Sequence, residues 1–390
     1  MSRIKTWVLT DTLHDVWLDN FSTGAETTNL PKAHGWSVRK RALKGGPRDG
    51  VDLIEVDNGE LSYAVIPTRG MSLWRGDYRG LALGWRAPIQ GPVHPSHVNL
   101  HDRGGIGFLY GFDELLVRCG LSSFGPPGDD NGEQLTLHGR IGNLSAHRVE
   151  VTINLDPPHE ISVIGEVDEG GLFSGHLRLK ATYTTIPGSN RVMIHDVVEN
   201  LSAHPAEMQM LYHTNLGPPF LEAGSRILAP TKQMCPMTAR AAESIDTYES
   251  YIGPTPGYAE QVYAYQLAGD DSRRSLALLC DSRGERACCV RFSLNELPCF
   301  TVWKNCLAVE DGYVTGLEPG TSFPNFRSFE REKGRVPKLQ PGGKWETTWS
   351  MEVCDTRESV EALLQEVAQL QAKSPAKIHK KPFSEMTASG

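Results

Sequence analysis

Strict alternation of apolar and polar residues in the middle of this 390-residue chain limits its fold more than any other feature of the sequence. The apolar members of one alternating run are Leu177, Leu179, Ala181 and Tyr183. The sequence Pro-Gly-Ser-Asn at 187–190 then turns the chain into a second apolar run that begins at Arg191. Because successive side chains of a β-strand point to opposite faces, this pattern predicts an antiparallel hairpin with one buried face.

The same signal recurs along the chain, whereas helical periodicity is rare. Asn58-Gly59 separates two apolar runs at 52–56 and 61–66, as expected for a tight hairpin. Further strand-like runs are found at 261–267, 275–280, 287–292, 300–304 and 345–353. Since turn residues and not helices separate these runs, the sequence predicts an all-β protein, built as one large antiparallel sandwich with few helices.

The predicted sandwich spans residues 51–355, and three smaller parts flank it. Residues 1–50 are polar with short apolar patches, and we expect them to form an irregular amino-terminal extension packed on the main domain. An amphipathic helix is predicted at 356–373, where Asp355–Glu358 resembles a capping box. The basic tail at 374–390 contains proline and is expected to be disordered.

Charge and cysteine usage exclude several classes of protein. The net charge of −8 and the isoelectric point near 5.9 argue against a surface for nucleic acid or anionic membranes. The amino-terminal residues resemble neither a secretory signal nor a membrane span, so we expect a cytoplasmic protein. Eight cysteines lie mostly in apolar runs without a CxxC pair, which predicts buried thiols and no metal site. These features do not specify the oligomeric state.

Three segments place an ionisable side chain where an apolar run ends in glycine or proline. His213 ends one run, and His138 and Glu318 end two others. Asn215 and Asn325 follow His213 and Glu318 within a few residues. Functional side chains are often found where a rigid element gives way to a loop. If the three ionisable groups meet in one cleft, they supply an acid, a base and a polarising donor.

The loops around these segments suit a ligand rich in hydroxyl groups. Lys304 and Asn325 lie near Glu318, and the motif-bearing loops contain several arginines. Guanidinium groups bind vicinal hydroxyls or anions with two hydrogen bonds, and aromatic faces cover the apolar face of a sugar. Two interpretations of the arginines stay open: they bind an anionic ligand, or they pair with nearby carboxylates. The nearby carboxylates are Asp77, Asp113, Glu114 and Glu133.

Four segments together resemble the aldose 1-epimerase (galactose mutarotase) superfamily, and in particular its DUF4432 branch. They are Phe112–Gly120, Leu137–Asn143, Tyr212–Pro219 and Pro256–Tyr263. The resemblance implies the galactose mutarotase-like β-supersandwich, which agrees with the strand pattern. It also implies a small-molecule carbohydrate as ligand, with no cofactor, no nucleic acid and no membrane partner.

The resemblance assigns roles to single residues. His138 corresponds to a sugar-binding histidine, His213 to the acid and Glu318 to the base, while Glu260 is the nearest equivalent of a sugar-binding aspartate. Together with the loop residues discussed above, the expected substrate-binding set is His138, Arg69, Arg118, Arg140, Asn215, Glu260, Lys304 and Asn325.

The implied reaction is the interconversion of sugar anomers through ring opening, a general acid–base reaction that requires neither metal nor nucleotide. Two alternatives remain open, since a fold does not settle a function. One is a carbohydrate-binding protein without turnover. The other is an epimerase or lyase that acts on an acidic or phosphorylated sugar, which the arginines would favour.

Overall fold

The computed structural model describes residues 3–28 and 35–388, and strands dominate these ranges. The first fourteen strands are β1 (Ile4–Asp11), β2 (Val16–Trp17), β3 (Asn20–Gly24), β4 (Ser37–Ala42), β5 (Asp52–Asp57), β6 (Leu61–Ile66), β7 (Ser72–Tyr78), β8 (Leu81–Leu83), β9 (Leu116–Leu121), β10 (Gly128–Asp130), β11 (Glu133–Leu135), β12 (Arg148–Asn154), β13 (Ile161–Gly170) and β14 (His176–Thr185). The remaining strands are β15 (Arg191–Asn200), β16 (Ala206–Glu207), β17 (Gln209–Leu216), β18 (Arg226–Leu228), β19 (Thr231–Pro236), β20 (Gln261–Leu267), β21 (Arg274–Cys280), β22 (Ala287–Ser293), β23 (Cys299–Asn305), β24 (Val314–Gly320), β25 (Lys338–Leu339), β26 (Lys344–Cys354) and β27 (Lys377–Ile378).

Helices are short, with one exception near the carboxyl terminus. The α-helices are α1 (Ala25–Thr28), α2 (Asp102–Gly105), α3 (Ala239–Ala242), α4 (Arg327–Glu332) and α5 (Arg357–Gln371). Single turns of 3₁₀ helix occur at Gly46–Arg48, Pro95–His97, Gly107–Tyr110, Ile141–Asn143, Ile245–Thr247 and Val309–Asp311. Within the described ranges, none of these helices combines the length and apolar composition that crossing a membrane requires.

Two large sheets make up the sandwich. One has ten strands in the order β18-β21-β22-β26-β15-β14-β13-β12-β1-β2. The other has thirteen strands in the order β27-β19-β20-β23-β24-β17-β9-β7-β6-β5-β4-β3, with β8 paired to β7. The main hydrophobic core draws buried side chains from both sheets, for example Tyr183 from β14 and Tyr212 from β17. The all-β, antiparallel sandwich predicted from the sequence is thus confirmed.

The alternating run that constrained the prediction forms β14. Its apolar side chains are almost fully buried, and its polar side chains lie on the more accessible face. Strand β14 pairs antiparallel with β15, so that Tyr183 lies opposite Ile194, and β15 in turn pairs with β26. The period of two therefore corresponds to a sheet with one face on the core and one face toward solvent.

The prediction that residues 1–50 are irregular is wrong. Strand β1 pairs with β12 in the ten-stranded sheet, while β3 and β4 extend the thirteen-stranded sheet beside β5. The strand character of β4 was hidden by its basic residues. Lys40 is nevertheless buried, and its ammonium lies 3.1 Å from a carboxylate oxygen of Asp52. A buried charge with a partner can occupy a core-facing position that looks polar in the sequence.

The carboxyl-terminal helix lies where it was predicted, but its cap differs from the expected one. Thr356 caps α5 together with Ser359, whose side chain and backbone complete the capping box. The prediction of a disordered tail is wrong for residues up to 388. Strand β27 pairs with β19, and the side chain of Met386 is fully buried. A few apolar anchors therefore hold a segment whose composition is mainly polar.

A buried ion pair connects the two sheets. Arg118 in β9 donates two hydrogen bonds to the carboxylate of Asp196 in β15, and all these side chains are inaccessible to solvent. The phenol of Tyr212 donates to the same carboxylate at 2.8 Å. A third nitrogen of Arg118 bonds the Met71 carbonyl at 2.8 Å and the hydroxyl of Tyr183 at 2.7 Å. Neighbouring strands of one sheet are thereby fixed to the middle of the other.

We expect Arg118→Met to destabilise the fold by about 3–5 kcal/mol, because it leaves the carboxylate of Asp196 buried without its counter-charge. Urea unfolding followed by circular dichroism measures the loss. The double variant Arg118→Met/Asp196→Leu is expected to regain much of it. Arg226→Met is the control, since its partner Glu249 lies at the surface and such pairs contribute about 0–1 kcal/mol. Equal losses for Arg118→Met and the control would contradict the prediction.

Candidate functional site

Strand β17 carries one row of side chains into the core and the opposite row onto the outer face of the thirteen-stranded sheet. Met210, Tyr212 and Leu216 belong to the core between the sheets. Leu211 belongs to a separate apolar cluster with Phe112 and other side chains on the outer face. His213 lies on this outer face as well, since it is two residues from Leu211. Alternate side chains of this one strand therefore point into the core or toward the candidate site.

A cavity of about 390 Å³ opens on this outer face. Its polar lining consists of His138, His213, Thr238, Glu260, Glu318, Asn325 and Thr387. Its apolar lining includes Leu109, Phe112, Phe124, Leu137, Met237, Val262, Trp303 and Phe326. This volume lies at the lower end of the range of small-molecule sites, which is roughly 300–1,000 Å³. The three ionisable residues singled out in the sequence therefore lie together in one cavity.

His213 and Glu318 form the centre of the cavity wall. Nε2 of His213 lies 3.2 Å from Oε1 of Glu318, and both side chains are almost completely buried. Oε1 accepts no aligned hydrogen bond from any described residue. The contact is therefore close enough for proton exchange, and Oε1 is a buried oxygen with unused capacity to accept hydrogen bonds.

Gly316 leaves the space that this pair occupies. It lies opposite Asn215 in β17 and two residues before Glu318 in β24. A β-carbon at position 316 would lie 2.4 Å from Oε1 of Glu318 and 2.9 Å from Cε1 of His213. Only glycine fits at this point of the strand, because any side chain would separate or displace the two ionisable groups.

His138 reaches the cavity from the loop after β11. The loop is joined to β9, since the amide of Gly120 donates to the carbonyl of His138 at 3.2 Å. The rings of His138 and His213 have centroids 5.3 Å apart, in an edge-on arrangement. His138 has a φ of 61°, an uncommon conformation for a residue other than glycine and one often found at functional sites. Burial lowers the pKa of His138 to about 4, so its imidazole is neutral near pH 7.

Burial shifts the central pair toward its uncharged state. It raises the pKa of Glu318 well above the ordinary value, and the negative charge of Glu260 adds to this effect. It lowers the pKa of His213 well below the ordinary value, and the neighbouring His138 acts in the same direction. Burial therefore favours the uncharged forms of both groups and opposes the separated charges of an imidazolium and a carboxylate.

Trp303 is a cavity residue that the sequence interpretation missed. Its indole N–H donates to a carboxylate oxygen of Glu260 at 2.6 Å, and its ring lies 5.5 Å from that of His213 and 6.1 Å from that of Phe112. It was recognised only as part of a strand. Its position in β23 directly opposite Gly316 is a feature of sheet register that the sequence does not display.

Two predicted ligand-binding amides have protein partners. Asn215 is fully buried, and its side chain bonds His213 and the backbone carbonyl of Glu114. It is not among the residues that line the cavity. Asn325 does line the cavity, but its amide nitrogen donates to Glu330 at 2.6 Å and to the carbonyl of Met386 at 3.0 Å. The assignment of Asn215 as a substrate ligand is therefore corrected to that of a side chain that contacts His213.

The carboxyl-terminal segment contributes to the cavity wall. Thr387 and Ala388 line the cavity, and the amide of Ala388 donates to the side-chain oxygen of Asn325 at 3.1 Å. The amides of Met386 and Thr387 both donate to the carbonyl of Phe383. Asn325 thus attaches this segment to the end of β24, although the sequence suggested that Asn325 binds substrate.

Arg69 and Arg118 do not reach the cavity, so their assignment as substrate ligands is wrong. Both are fully buried, and the partners of Arg118 lie between the two sheets. Arg69 donates to Glu114 at 2.7 Å and to the carbonyls of Val93 and Gly111. The interpretation that loop arginines pair with nearby carboxylates is confirmed for Arg69 and Glu114.

Lys304 and Arg140 also lie away from the cavity, which corrects their predicted role. The ammonium of Lys304 donates to the carbonyls of Tyr248 and Ser250, and burial lowers its pKa to about 8. Lys304 follows Trp303 in β23, so it points to the opposite face of the sheet. Arg140 is exposed and borders a separate surface pocket. Of the predicted substrate-binding set, the structure places His138, Glu260 and Asn325 in the cavity.

Comparison with known proteins places this site in a family. Residues 48–353 match the family described as "Domain of unknown function (DUF4432)". The chain belongs to the DUF4432 family. A crystal structure from Klebsiella pneumoniae, provisionally described as an aldose 1-epimerase, superimposes with a TM-score of 0.95 at 33% sequence identity, and the match covers 98% of this chain and 99% of that protein.

Two solved structures with lower sequence identity share the fold of this DUF4432 protein. A galactose mutarotase-like protein from Clostridium acetobutylicum superimposes with a TM-score of 0.54 at 15% identity, over 82% of this chain and 98% of that one. A protein from Escherichia coli K12, also provisionally described as an aldose 1-epimerase, gives a TM-score of 0.51 at 12% identity, over 78% and 99% of the two chains. No curated protein sequence matches the chain. The galactose mutarotase-like fold expected from the sequence is therefore confirmed.

We expect Asn325→Asp to detach the carboxyl-terminal segment from the cavity wall. The substitution removes both N–H donors and brings a carboxylate close to Glu330. Losing two buried hydrogen bonds should raise the hydrogen-exchange rates of the Met386 and Thr387 amides by roughly tenfold or more. Exchange followed by mass spectrometry measures this change. Asn295→Asp, at an exposed turn, is the control, and equal exchange rates in the two variants would contradict the proposed attachment.

Proposed function

We propose that this DUF4432 protein is an aldose 1-epimerase that interconverts the anomers of a neutral sugar. The observation that carries this proposal is the 3.2 Å contact between Nε2 of His213 and Oε1 of Glu318 inside a cavity of monosaccharide scale. An acid and a base that reach the same small volume can act on the hydroxyl group and the ring oxygen of one anomeric centre. The family likeness to proteins provisionally described as aldose 1-epimerases supports the same reaction.

Ring opening requires one proton to leave and one to arrive. Glu318, as carboxylate, removes the proton of the anomeric hydroxyl while His213, as imidazolium, protonates the ring oxygen. The bond between the anomeric carbon and the ring oxygen breaks, and an open-chain aldehyde forms. Rotation about the bond between the first two carbons exposes the other face of the carbonyl. Ring closure reverses both proton transfers, so the pair returns to its initial state.

The pair must be charged for this step, although burial favours the uncharged form of each group. Moving one proton from Glu318 to His213 across their contact creates the required imidazolium and carboxylate. A sugar hydroxyl that donates a hydrogen bond to Glu318 stabilises the carboxylate, because a hydrogen bond to a charged form favours that form. Ligand binding and activation of the pair are therefore coupled.

The other walls would bind the sugar through different groups. His138 is neutral and faces the same space as His213, so it can donate to or accept from a hydroxyl group. Trp303 and Phe112 offer aromatic faces for the C–H groups of a sugar ring. Glu260 accepts a hydrogen bond from Trp303 and keeps lone pairs for ligand hydroxyls.

The charges of the cavity favour a neutral sugar over an anionic one. Two carboxyl groups, Glu260 and Glu318, line it, whereas none of its lining residues in the described ranges is lysine or arginine. Binding a carboxylate or phosphate here would place its charge near the carboxylate of Glu260, with no lysine or arginine among the cavity's described lining residues to offset it. The arginines that suggested an anionic substrate lie elsewhere, with Arg69 and Arg118 paired in the interior.

We expect Glu318→Gln and His213→Asn each to slow anomer exchange by roughly 10²–10⁴-fold, the usual contribution of a general acid or base. NMR exchange spectroscopy of a panel of aldoses measures the rate. His138→Asn should mainly raise KM. His195→Asn is the control, since His195 bonds Thr348 on the ten-stranded sheet. Unchanged exchange in both central variants would contradict the assignment, and absence of exchange in the wild type despite binding would indicate a sugar-binding protein.

We also expect each neutral sugar to bind at least about tenfold more tightly than its anionic counterpart at low salt, because Glu260 lines the cavity and none of the described lining residues is lysine or arginine. Calorimetric titration of matched pairs, glucose with glucuronate and galactose with galacturonate, measures the difference. High salt should reduce the difference by screening. Tighter binding of the uronate would instead support the acidic-sugar alternative.

A further inference from the structure

Asn215 has a hydrogen-bonding arrangement that goes beyond a structural contact. It follows His213 by two residues on the same face of β17 and is completely buried. Its amide nitrogen donates to the carbonyl of Glu114 at 2.9 Å and to the carbonyl of His213 at 3.1 Å. Its amide oxygen lies 2.6 Å from Nδ1 of His213.

These partners determine which way the amide points. The two carbonyl oxygens can only accept hydrogen bonds, so the NH₂ group must face them. The opposite orientation would place the amide oxygen against two carbonyl oxygens and leave the NH₂ group toward the histidine. The oxygen of Asn215 therefore faces Nδ1 of His213, and an oxygen of this kind accepts only. Nδ1 must carry a hydrogen.

We infer that Asn215 is a positioning residue that holds His213 in the tautomer protonated at Nδ1, so that Nε2 is the only ring atom that exchanges a proton with Glu318 and the substrate. In the neutral ring, Nε2 then carries the lone pair, and it is this atom that lies 3.2 Å from Glu318. The tautomer follows from hydrogen bonding alone, whereas its catalytic consequence rests on the proposed function.

The hydrogen bond between Asn215 and His213 is supported by buried residues behind the cavity. The carboxylate of Glu114 is held by Arg69 at 2.7 Å, and its backbone carbonyl receives the hydrogen bond from Asn215. Buried Arg69 therefore supports the histidine through Glu114 and Asn215. Such an outer partner of a functional histidine sets both its tautomer and its orientation.

The titratable groups around His213 come from three other segments. Glu318 faces it from β24, His138 from the loop after β11, and Glu260 lines the same cavity from the residue just before β20. None of these groups contacts Nδ1 according to the hydrogen bonds of the described residues, whose partner there is Asn215. A change at position 215 therefore acts on the histidine through Nδ1.

Long-range ¹H–¹⁵N NMR of protein labelled at histidine nitrogen tests the tautomer without any sugar. Comparison with His213→Asn identifies the signals of His213. We expect the wild type to show a protonated Nδ1 and an unprotonated Nε2 at neutral pH. A protonated Nε2 in the neutral ring would overturn the inference.

Variants at position 215 test the role of the amide. Asn215→Leu keeps the size but removes the acceptor, and we expect it to mix the two tautomers and lower kcat roughly 10²-fold with little change in KM. Asn215→Asp loses the two N–H donors to the backbone carbonyls but keeps an oxygen opposite Nδ1, and its negative charge should keep the tautomer and raise the pKa of His213, moving the acidic limb of the pH–rate profile upward. Retention of a single Nδ1–H tautomer in Asn215→Leu would overturn the role of Asn215.

Gln209→Leu is the matched control. Gln209 is a buried amide on the same strand and face, but it bonds Ser322 and not His213. It should reproduce any general loss of stability without changing the His213 signals or the pH–rate profile. If the tautomer is as inferred but no aldose is turned over, the proposed function fails while the positioning of His213 by Asn215 holds.

Discussion

The ion pair between Arg118 and Asp196 is the constraint on which the remaining structure depends. It lies between two sheets whose other contacts are mainly apolar, and apolar contacts allow sliding more readily than directed hydrogen bonds do. Arg118 and Tyr212 are paired residues of β9 and β17, and both bond Asp196. Because His213 follows Tyr212 directly, the interaction that fixes the sandwich also fixes the strand that carries the candidate acid.

The site uses the opposite row of the same strands. In β17, Tyr212 lies in the core and the next residue, His213, lines the cavity. Lys304 and Trp303 show the same division in β23. A shift of register by one residue would exchange the two rows of side chains. The register that buries the apolar row in the core is therefore also the one that places the other row in the cavity. Packing of the core-facing side chains therefore also holds the cavity-facing side chains of the same strands in position.

Sequence analysis predicted the fold and the three central ionisable residues because both leave local traces. Alternation reveals a half-buried strand, and an ionisable residue before glycine or proline marks the end of a run. The sequence does not show in the same way which side chains will contact each other in the folded protein. Arg69 and Arg118 were expected to bind substrate, yet both are buried and pair with the carboxylates of Glu114 and Asp196. The order of residues 377–388 depends on contacts with β19 and Asn325, which a scan of composition does not register.

In the proposed reaction, ring closure reverses the two proton transfers of ring opening, so each group recovers its original state without a proton from solvent. In this cavity Nε2 of His213 and Oε1 of Glu318 are 3.2 Å apart. Burial favours the uncharged forms of both groups, and Asn215 restricts the exchangeable proton of the histidine to Nε2. The uncharged forms limit the cost of burying an acid and a base, because no separated charges have to be desolvated.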